Sequence, residues 1–167
     1  YKLKTSLRFF LNPFNSGYQI RYSNYKRSRM KIFKRQLTLA IKRYFRESFI
    51  NKNFINTIPD TSFVFFPMHY EPERTLSTDA PFFTNQLETI RSIAKSLPIE
   101  YKLVVKEHPV MKTLGWRKIS YYKELLELPN VVLVHPSITP EFLYKKCSLV
   151  ITTTGTAGFE ASFYNKP

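Results

Sequence analysis

Residues 149–167 read LVITTTGTAGFEASFYNKP, and this stretch decides the fold. Leu149-Val150-Ile151-Thr152 is a short, β-branched apolar run, the texture of a strand buried on both faces. It breaks into a small-residue turn, Thr153-Thr154-Gly155-Thr156-Ala157-Gly158. Phe159-Glu160-Ala161-Ser162-Phe163-Tyr164 follows as a helix that stops before Pro167. Strand, glycine turn and helix make half of a βαβ unit. The amides of the helix's first turn carry roughly half a positive charge and bind anions. Gly155 and Gly158 let the backbone come close to a phosphate, and the threonine hydroxyls add hydrogen bonds. The same pattern fits an ordinary strand-turn-helix whose glycines serve packing, because neither Gly-x-Gly-x-x-Gly nor the P-loop pattern is present. Both readings stay open on this segment alone.

Upstream, the texture is regular. Ser62–Phe66 is a strand, followed by a long loop from Pro67 to Phe83 that holds His69, Glu71, Glu73, Arg74 and Asp79. Asn85–Leu97 is a helix with Leu87, Ile90, Ile93, Ala94 and Leu97 on one face, closed by Pro98. Tyr101–Lys106 is a second strand ending in Glu107-His108-Pro109. Ser120–Leu128 is a short helix, and Val131–Val134 a third strand ending in His135-Pro136. Thr139 suits an N-cap and Pro140 a first turn, which opens a helix to Lys146. Strands and helices alternate with short links, so the spacing predicts an α/β, Rossmann-like parallel sheet with right-handed crossovers. Ligands bind such sheets at the carboxyl ends of the strands, where each of these polar clusters falls. That coincidence favours a nucleotide-type site.

Charge divides the chain. Residues 1–60 hold 14 Lys/Arg against two acids, and residues 61–167 hold 12 against 10, so nearly all of the +14 lies before Asp60. We therefore expect two parts: a basic, partly helical segment at 1–60 and an α/β domain at 61–167. Residues 1–25 are aromatic and basic and take no clear assignment. Lys26–Phe49 has no proline or glycine, and Met30, Phe33, Leu37, Ile41, Tyr44 and Phe45 recur at helical spacing. The opposite face carries Lys31, Lys34, Arg35, Lys42, Arg43 and Arg46. Such a helix can pack its apolar stripe on the rest of a larger protein, or rest its basic face on anionic lipid. Nucleic acid comes third, because no RNA- or DNA-binding motif accompanies the charge.

At 167 residues the chain can bury a real core. It begins at Tyr1 and stops where a doubly wound fold runs into another strand, so it reads as part of a longer polypeptide. One cysteine, Cys147, excludes a disulfide framework and a cysteine-based metal site and suits a reducing compartment. No apolar run is long enough to span a bilayer, and no signal peptide is visible.

Chemistry can be placed on the strand ends. After a strand, Pro109 fixes the turn and His108 can donate to a phosphate oxygen or a base carbonyl, with Lys106 and Lys112 adding charge. His135 shares the pattern and is ranked below it. Glu71, Glu73 and Asp79 are candidates for general base, since a glycosyl transfer needs a group to take the acceptor's proton. No His/Asp/Glu cluster has metal-ligand spacing, and there is no Gly-x-Ser-x-Gly elbow.

An ordered set of blocks resembles a known family. The blocks are Phe65-Phe66-Pro67-Met68-His69-Tyr70-Glu71-Pro72-Glu73-Arg74-Thr75, Asn85-Gln86, Val104-Val105-Lys106-Glu107-His108-Pro109, Leu128-Pro129-Asn130-Val131 and Thr154-Gly155-Thr156-Ala157-Gly158-Phe159-Glu160-Ala161. Together they are similar to the capsule polysaccharide biosynthesis family, whose members include bacterial Kdo transferases that use CMP-Kdo on a GT-B architecture. The resemblance covers roughly 62–167 and leaves 1–60 unexplained. It implies the C-terminal, nucleotide-sugar-binding half of a two-domain GT-B glycosyltransferase, the acceptor being held largely by the other domain. By resemblance His108, Gly155 and Thr156 hold the nucleotide and Glu160 faces the ribose; Lys106, for its charge, and Thr154, for its hydroxyl, complete the expected nucleotide-binding set. Glu73 matches the family's acidic loop best, although Glu71-Pro72-Glu73 stands where members commonly have Gln-Pro-Glu. The implied function is cytoplasmic transfer from a nucleotide-activated sugar, CMP-linked by preference, to a glycan or glycolipid acceptor. Neither metal nor cofactor is expected, and the basic helix extends the location to the inner face of the plasma membrane. A nucleotide-sugar epimerase or CDP-polyol phosphotransferase of the same fold is the second reading, and a non-catalytic module binding membrane or nucleic acid the third.

Overall fold

The structure, a computed structural model, describes residues 29–71 and 74–167, with side chains at 33–71 and 76–167. The chain separates into two compact units, Tyr1–Gln36 and Leu37–Pro167. Helix α1 (Arg29–Asn53) begins in the first unit and continues into the second. Its expected start at Lys26, and the whole of residues 1–25, lie outside the described residues.

The second unit is built on four parallel strands, β1 (Phe63–Pro67), β2 (Lys102–Lys106), β3 (Val131–Val134) and β4 (Leu149–Val150). Their order across the sheet is β3-β2-β1-β4. Phe65 lies opposite both Val104 and Val150, and Val104 opposite Val132. β1 and β2 are central and covered on both sides, which is why they read as unbroken apolar runs rather than as alternations. β4 is shorter than the four-residue run expected. Ile151 still donates to the Phe65 carbonyl, but the Thr152 hydroxyl turns back onto the Thr154 carbonyl and draws the chain out of the ladder.

Two cores flank the sheet. On one face Val64, Phe66, Leu103, Val105 and Leu133 meet Ile90 and Ala94 of α3 (Gln86–Ser96) and Tyr122 and Leu125 of α5 (Ile119–Leu126). On the other, Phe63, Phe65, Val104 and Val150 meet Leu143 and Tyr144 of α6 (Pro140–Lys146) and Ala161 of α7 (Ala157–Ser162). The strand path explains the division. Winding outward from β1 to β3 puts the crossover helices on one face, and returning across to β4 puts α6 on the opposite one. The strand order reverses between β1 and β4, and open α/β sheets hold ligands in the crevice outside the carboxyl ends of the strands at such a point.

Local differences from the sequence reading are instructive. The stretch Pro67–Phe83 is not one loop: it contains α2 (Arg74–Asp79) and a 3-10 turn (Pro81–Phe83), both too short to show a periodicity. A further short helix, α4 (Met111–Leu114), precedes α5. Asn85 caps α3 by accepting from the Glu88 amide, whereas Thr139 sits at the start of α6 without a side-chain cap bond. The packing does not divide at residue 60, where the charge changes. Ile50 and Phe54 are core residues, and Ile55 forms a parallel bridge with Val134.

The attachment of α1 inverts the expectation for its apolar stripe. Among the described residues of the second unit, Leu37, Ile41, Tyr44 and Phe45 are exposed. The helix docks instead through Arg43, Arg46, Glu47 and Ile50, at helical spacing on the other side. Arg43 donates to the Thr113 carbonyl at 2.9 Å, and Arg46 to those of Gly115 and Trp116 at 2.9 and 2.8 Å. Glu47 pairs with Lys112 at 2.8 Å. Cationic side chains suit these carbonyls, which close the C-terminal end of α4 and have no partner within it.

Candidate functional site

The turn after β4 meets the turn after β1. Gly155 has φ +83°, in the left-handed region that glycine enters without strain, and a Cβ placed there would lie 3.4 Å from His69 Cε1. Gly158 answers to packing: a Cβ on it would press on the Thr152 methyl at 3.2 Å. One glycine therefore serves the turn and its close neighbour, the other the helix-to-strand contact. The Thr153 and Thr154 hydroxyls are shielded from solvent and have no hydrogen-bond partner among the described residues. Thr156 Oγ1 donates to Glu160 Oε1 at 2.8 Å, and the Tyr144 hydroxyl to Glu160 Oε2 at 3.2 Å. Burial and the adjoining Glu160 carboxylate push the Tyr144 phenol above its ordinary range, so it remains a donor. Glu160 is thus held in place at the start of α7 rather than left to wander in solvent.

β2 ends beside β1, two strand spacings or about 10 Å from β4. Lys106, its last residue, is buried, and desolvation lowers its pKa while Glu107 pulls the other way. The His108 ring lies 5.4 Å from the Tyr70 ring, centre to centre. Its Nδ1 accepts from the Val110 amide at 3.2 Å, which puts the proton of the neutral ring on Nε2.

Between these turns lies a buried polar hub that leaves little mark in the sequence. Arg117, on the segment joining α4 to α5, reaches Glu107 through Nε at 2.8 Å, Glu71 Oε1 through one terminal nitrogen at 2.7 Å, and the His69 carbonyl through the other at 2.5 Å. Gln86 accepts from the His69 amide at 2.7 Å and donates to both the His69 carbonyl and Glu71 Oε1. Glu107 takes the Tyr122 hydroxyl at 2.9 Å and the His108 amide at 2.9 Å. Burial works against the charge on Arg117, yet Glu107, Tyr121 and Glu71 outweigh it and hold the guanidinium charged. Burial raises the Glu107 carboxyl, and Arg117 is the strongest influence opposing that rise. Gln86 belongs to a block already singled out for its resemblance. Arg117 sits in no periodic pattern and no motif, so only the fold could reveal it.

The remaining sequence candidates scatter. Glu71 joins the hub. Asp79, the last residue of α2, is exposed and accepts from Thr78 Oγ1 at 2.8 Å. Glu73 lies outside the described residues. His135 turns away from the crevice, its ring against Ser137 and Asn51. Among the described residues no three potential metal ligands gather, and no helix is long and apolar enough to cross a membrane.

Comparison with known proteins places the chain. A family described as "Capsule polysaccharide biosynthesis protein" matches residues 12–167, and the chain belongs to it. The match reaches well upstream of the blocks that carried the resemblance. No match to a curated protein was found. Among solved structures the chain is similar to KpsC, the beta Kdo 2,7 transferase of Thermosulfurimonas dismutans, at a TM-score of 0.51 and 19% identity, over 85% of this chain and 42% of that one. It also matches the UDP co-structure of MnaA from S. aureus at a TM-score of 0.41 and 19% identity, over 65% of this chain and 27% of that one. The first is a likeness of fold, and the second is too distant to add to it. The chain spans less than half the length of either protein.

Proposed function

We propose that this member of the capsule polysaccharide biosynthesis family is the nucleotide-sugar-binding part of a GT-B glycosyltransferase acting in surface-polysaccharide assembly. The observation that carries the reading is the meeting of the Gly155 turn with His69 at the reversal point of the sheet, with Lys106 and His108 on the next strand end. A nucleotide there lies between the His108 and Gly155 turns. Backbone amides around Gly155 and Thr156, with Thr154 Oγ1, take the phosphate, and His108 and Lys106 add a donor and a charge. Glu160, already oriented by Thr156 and Tyr144, accepts from the ribose. The donor is a nucleotide-activated sugar, CMP-linked by family resemblance, and the acceptor a glycan or glycolipid. Stabilising the leaving phosphate by these groups lets transfer proceed without a metal or cofactor. Glu73 is the general base we favour, with Glu71 and Asp79 as the other carboxylates of the same segment.

Titration calorimetry with CMP, CDP and UDP tests the reading directly. CMP is expected to bind most tightly, and a purified chain that binds none of the three overturns it. In the longer enzyme, single amide replacements at Glu73, Glu71 and Asp79 separate turnover from nucleotide affinity. Loss of the base costs about 10²–10⁴-fold in rate and leaves affinity nearly unchanged.

We extend the reading to a peripheral position on an anionic membrane surface, the inner face of the plasma membrane. The exposed Leu37, Ile41, Tyr44 and Phe45 side chains of α1, with Lys42 among them, support it. Flotation with liposomes that contain or lack anionic lipid, at low and high salt, is the check, since each basic residue there contributes about 1 kcal/mol that salt screens. Binding indifferent to lipid charge would leave only a packing role for this helix.

A further inference from the structure

We propose that Arg117 is a positioning residue: its guanidinium ties the turn after β1, whose His69 side chain lies against Gly155, to the turn after β2, which carries His108, and so sets the spacing of the groups that border the nucleotide crevice. The inference rests on the reading of that crevice as a nucleotide site. It adds a residue that touches no part of the ligand.

Three observations carry it. Arg117 spends all three of its nitrogens on the two turns: Glu107 at the β2 end, and Glu71 with the His69 carbonyl at the β1 end. Those turns hold the groups facing the crevice, because His69 packs on Gly155 and the His108 amide bonds to Glu107. The segment that delivers Arg117 is itself held in a costly shape. Gly115 and Trp116 both have positive φ, +94° and +61°, and for a buried tryptophan that conformation is strained. Arg46 of α1 grips the carbonyls of both residues. A fold keeps such a shape where the surrounding contacts over-determine it, and here the shape aims a fork-shaped cation at two strand ends at once. A lysine has one nitrogen and cannot bridge them.

Arg117→Lys is therefore the discriminating variant, since it keeps the charge opposite Glu107 and removes the bridge. Val131→Ala, at the amino end of outer strand β3, is the control for a simple loss of core packing. CMP affinity by calorimetry and amide hydrogen exchange without ligand are measured on both, and melting temperature is used to match their stabilities. Arg117→Lys is expected to weaken CMP binding about tenfold and to speed exchange at residues 68–71 and 107–111 together. Val131→Ala is expected to do neither. Glu71→Gln, half-exposed and safe for folding, is expected to loosen 68–71 alone with a smaller loss of affinity. Should Arg117→Lys not fold, Glu71→Gln decides on the same readouts: unchanged exchange at 68–71 refutes the tie. Arg117→Lys that binds and exchanges like the wild type, or no worse than Val131→Ala, overturns the proposal. Wild-type protein that binds no nucleotide while Arg117→Lys frees both turns overturns the function and leaves the tie standing.

Discussion

Two strands of this sheet end in the same dipeptide, Glu107-His108-Pro109 after β2 and Val134-His135-Pro136 after β3, and locally they fold alike. Each histidine Nδ1 accepts from the amide two residues on, at 3.2 Å in both cases. Each carbonyl accepts from the amide three residues on, at 2.9 and 3.0 Å. The outcomes then part. His108 lies against Tyr70 beside the crevice, whereas His135 spends its other nitrogen on Asn51 of α1 at 3.1 Å. The preceding residue differs in the same sense: Glu107 anchors a buried cation, and Val134 fills core. The dipeptide sets the turn, and the strand's rank in the sheet sets the role.

The contrast can be broken most forcefully at the residue before each histidine. Glu107→Ala leaves the Arg117 guanidinium buried without its fully buried carboxylate partner and is expected to cost about 3–5 kcal/mol in denaturant unfolding. Val134→Ala leaves only a small cavity, about 2 kcal/mol, and equal costs would erase the distinction. Next in size, His108→Ala is expected to weaken CMP binding by about 1–3 kcal/mol, the range for a lost hydrogen bond to a charged group. His135→Ala should bind CMP as the wild type does, and a matching loss would move the site toward β3. A third comparison concerns stability: His135→Ala and Asn51→Ala are each expected to cost about 1 kcal/mol, with the double variant costing little more than either.

The smallest effect is a pH dependence. Burial first, then Lys112 and Lys106, lower the His135 pKa from its ordinary 6.5, with Glu47 opposing. Above pH about 6.5 the ring is neutral folded and unfolded, so its contribution is intact. As pH falls below that, the unfolded chain takes the proton first, and stability declines until the folded-state pKa is passed. Unfolding curves between pH 5 and 7 should therefore slope less in His135→Ala than in the wild type.

How much of this could be read beforehand follows the range of the forces involved. Continuous apolar runs gave β1, β2 and β3 and their parallel arrangement, because burial on both faces leaves a local mark in Phe63–Phe66 and Leu103–Val105. That Gly155, Thr156 and His108 stand at the carboxyl ends of strands was legible for the same reason: they directly follow apolar runs. Arg117 was not, and of Gln86 only its place in a resembling block was, because their contacts are to backbone groups 48 and 17 residues away. The α1 helix misled in a different way. Periodicity found its amphipathy, and the default of apolar-inward failed because Arg43 and Arg46 on the other face take the carbonyls of Thr113, Gly115 and Trp116. A charge boundary near residue 60 likewise tracks composition, while Ile50 and Phe54 belong to the core on its far side.

One residue near that charge boundary governs how the sheet meets other molecules. Ile55 donates to the Leu133 carbonyl and accepts from the His135 amide, so a single bridge occupies two open positions on the outer side of β3. Across the sheet, the Val150 amide on the outer side of β4 donates to the Pro167 carbonyl. An unguarded parallel edge is a template for a foreign strand and a route to fibrils. On the β3 side the bridge interrupts the outer row at the carboxyl end of the strand, where an incoming chain would otherwise extend the ladder. Replacing Ile55 with proline would remove the donor while sparing the acceptor, and thioflavin-positive aggregation would report whether that one bridge is the guard.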